Sequence, residues 1–333
     1  MTAAEVRERV RATGLLPHGA CVVAMLSGGR DSVCLLDIAV ALCGGERVHA
    51  LHVNYGLRAE SGGDEAHCRE LCERLGVEIA VTRSSRPHDA TGNLHGWARD
   101  VRYRAAHELA RRLEGGLDER PAGNVPTQAA PHARAGHDVA EGAVGGVSKQ
   151  PSSRAIEIPT HPTISIATGH TATDQVETIL YRLAASPGRR ALLGMSAREG
   201  GLVRPLLGLT RQATAAYCLE RKLAWREDAS NDSERYARAR VRHGLVPALD
   251  AVHPAAESNV LRTAELLREE TDLLDALVDS ELQGRASIPV ERLRELAPAL
   301  RRLVVIRLAE DAAGTFVPRA GERVEEILAL GAR

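Results

Sequence analysis

Lysine is almost missing from this 333-residue chain: of 43 basic side chains only Lys149 and Lys222 are lysine, and the other 41 are arginine. Aromatic residues are equally scarce, at five Tyr, two Trp and one Phe. A GC-rich gene suffices to explain both. The physical consequences are a core of Leu, Val, Ile and Ala and few rings on which bases could stack. Neither sign of charge dominates, since 44 acidic side chains leave a net charge of −1. That excludes a chain basic all over and an acidic disordered one, but not a local basic surface. No run of about 18 apolar residues exists, so no membrane-spanning helix is expected. The first twelve residues are charged and amphipathic, without the apolar centre of a secretion signal. The six cysteines therefore read as free thiols of a reducing cytoplasm. Cys68 and Cys72 lie four apart on an expected helix, but His67 alone does not complete a metal site.

What is present is an alternation of strands and helices. The apolar run Ala20 to Leu26 has the pattern of a buried parallel strand. It breaks into Ser27-Gly28-Gly29-Arg30-Asp31-Ser32, and a helical pattern runs from Val33 to about Leu42. Residues 47–53 and 77–81 read as strands, 3–13, 65–75 and 97–113 as helices. Thr163 to Ala167 is a further strand, Ala172 to Ala185 a helix, and Leu202 to Leu207 a short strand. This order predicts an α/β fold with a doubly wound parallel sheet, whose ligand crevice lies beyond the carboxyl ends of the strands. From residue 213 onward only helical patterns remain (214–223, 260–282, 291–309, 321–330). The expected division is a sheet domain over 1–212 and a smaller all-helical domain over 213–333. Residues 114–160 show no sustained period and read as a disordered insertion within the first domain.

Ser27 to Ser32 carries the strongest chemical signal. A strand, a glycine pair and a helix start place backbone N–H groups where an anion can sit. Ser27 and Ser32 add hydroxyls, Arg30 a cation, and Asp31 a carboxylate for a divalent ion. No lysine follows the glycines, so this is not a Walker A loop, and the spacing is not GxGxxG.

The loop resembles the pyrophosphate-binding loop of the N-type ATP pyrophosphatases, a PP-loop superfamily with the adenine nucleotide alpha hydrolase-like fold. Further segments narrow the resemblance to the tRNA(Ile)-lysidine synthetases. They are His52-Val53-Asn54-Tyr55-Gly56-Leu57-Arg58; Gly92-Asn93-Leu94 followed by Ala98 to Tyr103; Ala167 to Thr178; Arg204-Pro205-Leu206-Leu207; Trp225 to Asn231; and Arg238 to Arg242. They stand in the family's order and cover about residues 20–250 apart from the insertion.

The resemblance implies a reaction and its partners. ATP, with Mg2+, adenylates C2 of the wobble cytidine in a tRNA(Ile) bearing a CAU anticodon. The amine of free L-lysine then displaces AMP. Carried over position by position, Ser27, Gly28, Gly29, Arg30 and Ser32 would hold pyrophosphate, Asp31 the metal, and His52, Val53 and Asn54 the adenine through backbone groups. Arg99 and Arg102, three apart on one helix face, suit phosphate. His170, Asp174 and Glu177 would handle the attacking lysine, although acids in a first helical turn also simply complement the macrodipole. Arg204, Arg238, Arg240 and Arg242 are the expected tRNA-binding residues, the last three as RNA-phosphate or site-shaping contacts. Residues 204–243 hold nine basic against five acidic side chains, a local +4 in a chain that totals −1.

Two positions depart from the family pattern. Thr173 replaces the first of two adjacent aspartates, and Ala239 replaces an asparagine. Tyr55 for His and His95 for Glu are milder. The family's common extra C-terminal domain is not expected here, and additional tRNA grip would then fall to the helical region. A related tRNA-thiolating enzyme and a degenerate nucleotide-binding protein are the competing readings. The sequence leaves a homodimer open and offers nothing for a membrane. Deletion of residues 116–158 is expected to leave soluble, folded protein, checked by yield and circular dichroism; loss of the folded product would show the insertion to be structural.

Overall fold

The structure is a computed structural model that describes residues 1–57, 61–85, 94–115, 164–186, 188–226 and 237–330. Residues 116–160 of the expected insertion, Arg58, Gly92-Asn93 and residues 227–236 lie outside these, as does the side chain of His95; the first two insertion residues, 114 and 115, are described. Among the described residues no helix is long and apolar enough to cross a membrane.

The chain begins with helix α1 (Ala3–Ala12). Thr2 and Glu5 form a reciprocal capping box, Oγ1 of Thr2 accepting from the Glu5 amide while the Glu5 carboxylate accepts from the Thr2 amide at 2.7 Å. There follow β1 (Val22–Met25), α2 (Arg30–Cys43), β2 (Val48–Asn54), α3 (Ser61–Leu75), β3 (Glu78–Arg83) and α4 (Leu94–Glu114). After the insertion come β4 (Ser165–Ala167), α5 (Ala172–Ala185), α6 (Arg189–Leu192), β5 (Arg198–Glu199), β6 (Leu202–Val203) and α7 (Arg211–Glu220). The rest is helical: α8 (Ala237–Arg240), a π-helical turn (Val241–Leu245), α9 (Val246–Val252), α10 (Ala256–Leu282), α11 (Val290–Glu295), α12 (Pro298–Ala313) and α13 (Val324–Leu330).

One six-stranded sheet runs in the order β3-β2-β1-β4-β6-β5. All neighbours are parallel except β5 and β6. Successive β1 residues point to opposite faces, and all four are buried. Val22 and Ala24 join a core with α1, α2, α3 and α7; Val23 and Met25 join a second with α4 and β4. Helices on both faces are why β1 reads as an unbroken apolar run rather than an alternating one.

The described residues divide into two compact units. One holds everything up to 115, 164–181 and 194–257; the other holds the described part of 182–193 and 258–330. This division differs from a boundary after residue 212. The reason is α7, which buries Tyr217 and Cys218 in the sheet-side core and ties itself to α2. Tyr217 Oη donates to Asp37 Oδ2 at 2.6 Å, and Arg221 grips both Asp37 oxygens at 3.1 and 3.2 Å. The second unit packs Val278, Leu282, Leu293, Leu296, Val304, Val305 and Val324 together. Buried Glu310 on α12 holds Arg190 of α6 there.

Glu65 braces the open end of the sheet. It is buried and accepts from Arg83 at 2.7 Å, Arg69 at 3.1 Å and Asn54 Nδ2 at 3.1 Å. The hydrogen bond from Arg83, with those from Asn54 and Arg69, holds its carboxyl at about 2 against the opposing effect of burial. The folded value lies below the unfolded one. The contribution is therefore fully present above the ordinary carboxylate range and is lost as pH falls toward 2. Glu65→Gln is expected to cost about 2 kcal/mol near neutrality and to flatten the decline of stability between pH 5 and 2. Urea denaturation across that range checks both.

Candidate active site

The strand order reverses direction at β1 and β4: the chain moves outward from β1 through β2 to β3, then returns to place β4 on the other side of β1. Such a switch point opens a crevice at the strands' carboxyl ends, and the two loops expected to carry chemistry leave from these two strands.

The first loop is Ser27-Gly28-Gly29. Gly28 has φ +85°, a conformation that favours glycine. Gly29 caps α2, so Arg30, Asp31 and Ser32 form its first turn, three residues earlier than the apolar periodicity suggests. Ser32 Oγ accepts from the Ser27 amide at 3.2 Å and donates to the Gly29 carbonyl at 2.8 Å; the Ser27 hydroxyl lies 3.1 Å from it. The serines thus hold the curve of the loop while the helix N-terminus faces the crevice. From behind, the Arg226 amide donates to the Gly28 carbonyl at 3.0 Å, and the Arg226 guanidinium pairs with Asp64 at 2.7 Å.

The second loop is Thr168 to Thr171. Gly169 lies against the first turn of α2, and a Cβ there would stand 2.9 Å from the Asp31 carbonyl oxygen and 3.1 Å from the Ser32 nitrogen. Thr171 caps α5, its amide and hydroxyl donating to Asp174 Oδ2 at 2.8 and 2.9 Å. That leaves Asp174 Oδ1 facing two guanidiniums, Arg211 Nη2 at 3.6 Å and Arg242 Nη2 at 3.8 Å. Glu177, one turn on and buried, takes a bidentate pair from Arg242 at 2.6 and 2.9 Å. Gln175 faces away and clamps Met195 through both ends of its amide, at 2.8 and 2.6 Å.

His170 lies 2.8 Å from the Thr168 hydroxyl through Nδ1. Burial lowers its pKa to about 4, and Arg204, Arg238 and Arg102 push the same way against Asp174. It is a neutral imidazole near pH 7, able to accept or donate one hydrogen bond.

Asp31 receives the Thr214 hydroxyl and Arg30 Nε, the latter at 3.2 Å, on Oδ1. Its Oδ2 lies 3.9 Å from Arg211 Nε. Neither Arg211 nor Thr214 was legible as a site residue. Arg211 was one of nine basic residues in a charged stretch, and only the docking of α7 on α2 reveals it.

Several expected roles change. The His52 ring is buried, with Nδ1 2.9 Å from the Leu26 carbonyl. The Asn54 side chain braces Ser61, Glu65 and the Gly56 amide. Because the Leu51 carbonyl faces β1 and that of Asn54 faces β3, alternation turns the backbone of Val53 toward β1, past that strand's end. Arg99 lies over the Tyr103 ring at 5.1 Å, whereas Arg102 is near enough to depress His170. Arg204 is buried, donating to the Ser196 carbonyl and to Glu199 at 2.6 and 2.9 Å. Its side chain is only 3% exposed, which leaves no surface for an RNA phosphate, contrary to the expected tRNA contact. Arg242 is likewise committed to Glu177. Of the four expected RNA arginines, Arg238 and Arg240 are exposed, Arg238 also reaching Thr178 at 3.3 Å. Among the described residues no group of three or more His, Cys, Asp or Glu side chains assembles as a metal cage.

The sequence matches the PP-loop domain family over residues 3–115 and 158–249, so this is a PP-loop protein. It is 30% identical over 314 residues to the tRNA(Ile)-lysidine synthase of Gloeobacter violaceus, covering 91% of this chain and 81% of that one. It is 32% identical to that of Solibacter usitatus over 95% of this chain and 62% of the relative, and 34% identical to that of Thermus thermophilus over 91% and 51%. The chain belongs to the tRNA(Ile)-lysidine synthase family. It spans about half to two thirds of the length of most of these relatives. Among solved structures, the U34-tRNA thiolase NcsA of Methanococcus maripaludis shares the fold, with TM-score 0.54 at 15% identity over 80% of this chain and 78% of that one.

The Gly169 contact yields a prediction. Gly169→Ala must push apart two backbone segments rather than a flexible side chain tip. It is expected to cost about 1–3 kcal/mol of stability and to weaken ATP binding sharply. Thermal unfolding and calorimetric titration with a non-hydrolysable ATP analogue check it; unchanged values in both would show that the two loops need not touch.

Proposed function

We propose that this protein uses ATP to ligate L-lysine to C2 of the wobble cytidine in a CAU-anticodon tRNA(Ile), in the cytoplasm. The observation that carries the reading is the family relationship at 30% identity across 81% of a relative's length. The crevice supports it with an anion-binding helix start on one side and a carboxylate pair with a neutral imidazole on the other.

In this reading the amides of Gly28 to Ser32 bind the pyrophosphate portion of ATP, and the backbone of Val53 meets the adenine. Asp31 and Asp174 both approach one guanidinium within 4 Å, so a cation fits between their carboxylates, and one or two carboxylates plus phosphate oxygens are a usual set for Mg2+. These two residues would hold the ion, which supplies charge neutralisation at the phosphates. Attack by the cytidine C2 oxygen on the α-phosphate releases pyrophosphate. The lysine amine then attacks C2, AMP leaves with the C2 oxygen, and the amine's proton passes to a base. Neutral His170 and Asp174 are the groups placed to take that proton or orient the ammonium. Glu177 acts through Arg242, which it fixes beside Asp174.

The RNA would meet exposed Arg102, Arg238 and Arg240. The part of α10 in the second unit is a poor phosphate surface, since it carries seven acidic and two basic side chains; other helical faces there would supply the additional grip. Thiolation is disfavoured by the cysteines: burial pushes the Cys68 and Cys72 thiols up to about 12, far from a reactive thiolate.

The deciding assay mixes purified protein with labelled lysine, ATP and a CAU-anticodon tRNA(Ile) transcript. Lysine transfer to the tRNA with AMP release is expected, and Asp31→Asn should abolish it while leaving the circular dichroism spectrum intact. ATP–pyrophosphate exchange without lysine transfer would point to another nucleophile. Absence of ATP turnover with any tRNA would end the enzymatic reading.

A further inference from the structure

Among the described residues, Arg211 is held differently from two other arginines that face buried carboxylates in the sheet-containing unit. Arg242 meets Glu177, and Arg221 meets Asp37, each through two hydrogen bonds. Arg211 instead stands between two carboxylates and bonds neither: Nε is 3.9 Å from Asp31 Oδ2 and Nη2 is 3.6 Å from Asp174 Oδ1. Its Nε is buried and has no hydrogen-bond partner. Arg204 Nε is likewise buried without a partner, but the Arg204 guanidinium bonds Ser196 and Glu199 through its other nitrogens, whereas Arg211 has neither carboxylate within hydrogen-bond distance and is not a finished structural pair. Meanwhile its backbone is pinned. The Arg211 amide donates to Thr173 Oγ1 at 3.4 Å, and the Ala172 amide donates to the Leu209 carbonyl at 2.8 Å. The side chain is 30% exposed, so the guanidinium can move while the helix start stays fixed.

We propose that Arg211 is an internal stand-in for a divalent cation: its guanidinium occupies the space between Asp31 and Asp174 in the free protein and is displaced when a metal ion enters with the nucleotide. This positioning role rests on the ATP-dependent reading above. The charges explain the order of events. Arg30, Arg211 and Arg242 already face Asp31, Asp174 and Glu177; Glu257 lies near Arg211 and Glu177, and Arg102, Arg204 and Arg238 lie near His170. A bare divalent ion approaching this matched set meets no excess negative charge and a guanidinium in its place. A nucleotide brings several negative charges with the ion, which restores the attraction and gives the displaced guanidinium anionic oxygens to pair with. Between visits Arg211 screens the two carboxylates from each other, so the crevice is held in shape without the metal.

The test is Mn2+ binding to the full-length free protein, read by the loss of the free-ion electron paramagnetic resonance signal, with no nucleotide present. The wild type is expected to bind weakly. Arg211→Gln should bind at least about tenfold more tightly, because two carboxylates then lack their internal cation. Arg211→Lys, which keeps the charge, should stay near wild type and guards against a general effect of substitution. The gain should vanish in Arg211→Gln combined with Asp31→Asn. Mn2+ affinity that is unchanged or weaker in Arg211→Gln overturns the proposal, and so does a gain that survives loss of Asp31. Binding of a non-hydrolysable ATP analogue to the wild type is measured separately. If the nucleotide does not bind, the ATP reading fails, whatever the Mn2+ series shows.

Discussion

Everything at the candidate site depends on two loops leaving adjacent parallel strands and touching through backbone alone. Gly169 makes that contact possible, because any Cβ would enter the first turn of α2 at Asp31. The contact fixes how the N-terminus of α2 faces the N-terminus of α5, and therefore how Asp31 faces Asp174. The rest of the sheet-containing unit can be read as support for this approach. Arg226 holds the first loop from behind, Thr171 and Asp174 lock the second to its helix, and α7 closes over both. Positive helix ends converge there, which suits an anion, while the acids in the first turns temper that field and suit a metal.

The scarcity of lysine takes on a structural meaning in this setting. Arginine here works mostly inside the protein. Arg204, Arg221 and Arg242 each spend a planar fork on carbonyls or carboxylates, geometries that a point-charge ammonium would not satisfy. The +4 stretch was expected to be an RNA surface. Part of it is a scaffold instead, and its net charge overstated what faces solvent.

Local patterns were legible in proportion to how local their causes are. The α5 boundaries follow from a threonine cap and a clean 3.6-residue period, and the expected Ala172–Ala185 is what the structure holds. The buried strands β1 and β2 announced themselves through apolar composition, and SGGRDS through its place between a strand and a helix. What was not legible arises from distant pairing. The two-residue strand β5 exists only because β6 lies beside it. His52 turns inward because a carbonyl from the neighbouring strand needs a donor, and Arg204 is buried because a segment five to eight residues earlier offers acceptors. Arg211 and Thr214 reach Asp31 across 180 and 183 positions of sequence, and no spacing rule spans such a gap.

Thr173 shows how a departure from the family pattern can be accommodated. An aspartate there would add a carboxylate next to Asp174, and its oxygen could accept the first free amide of α7. Threonine retains the second function, since its hydroxyl accepts from the Arg211 amide, and drops the charge. The carboxylates left in the crevice are then matched by the guanidiniums around them. The same substitution that removes a potential metal ligand also anchors the arginine occupying the metal's place. In the proposed scheme the metal's attraction then comes chiefly from the nucleotide it accompanies.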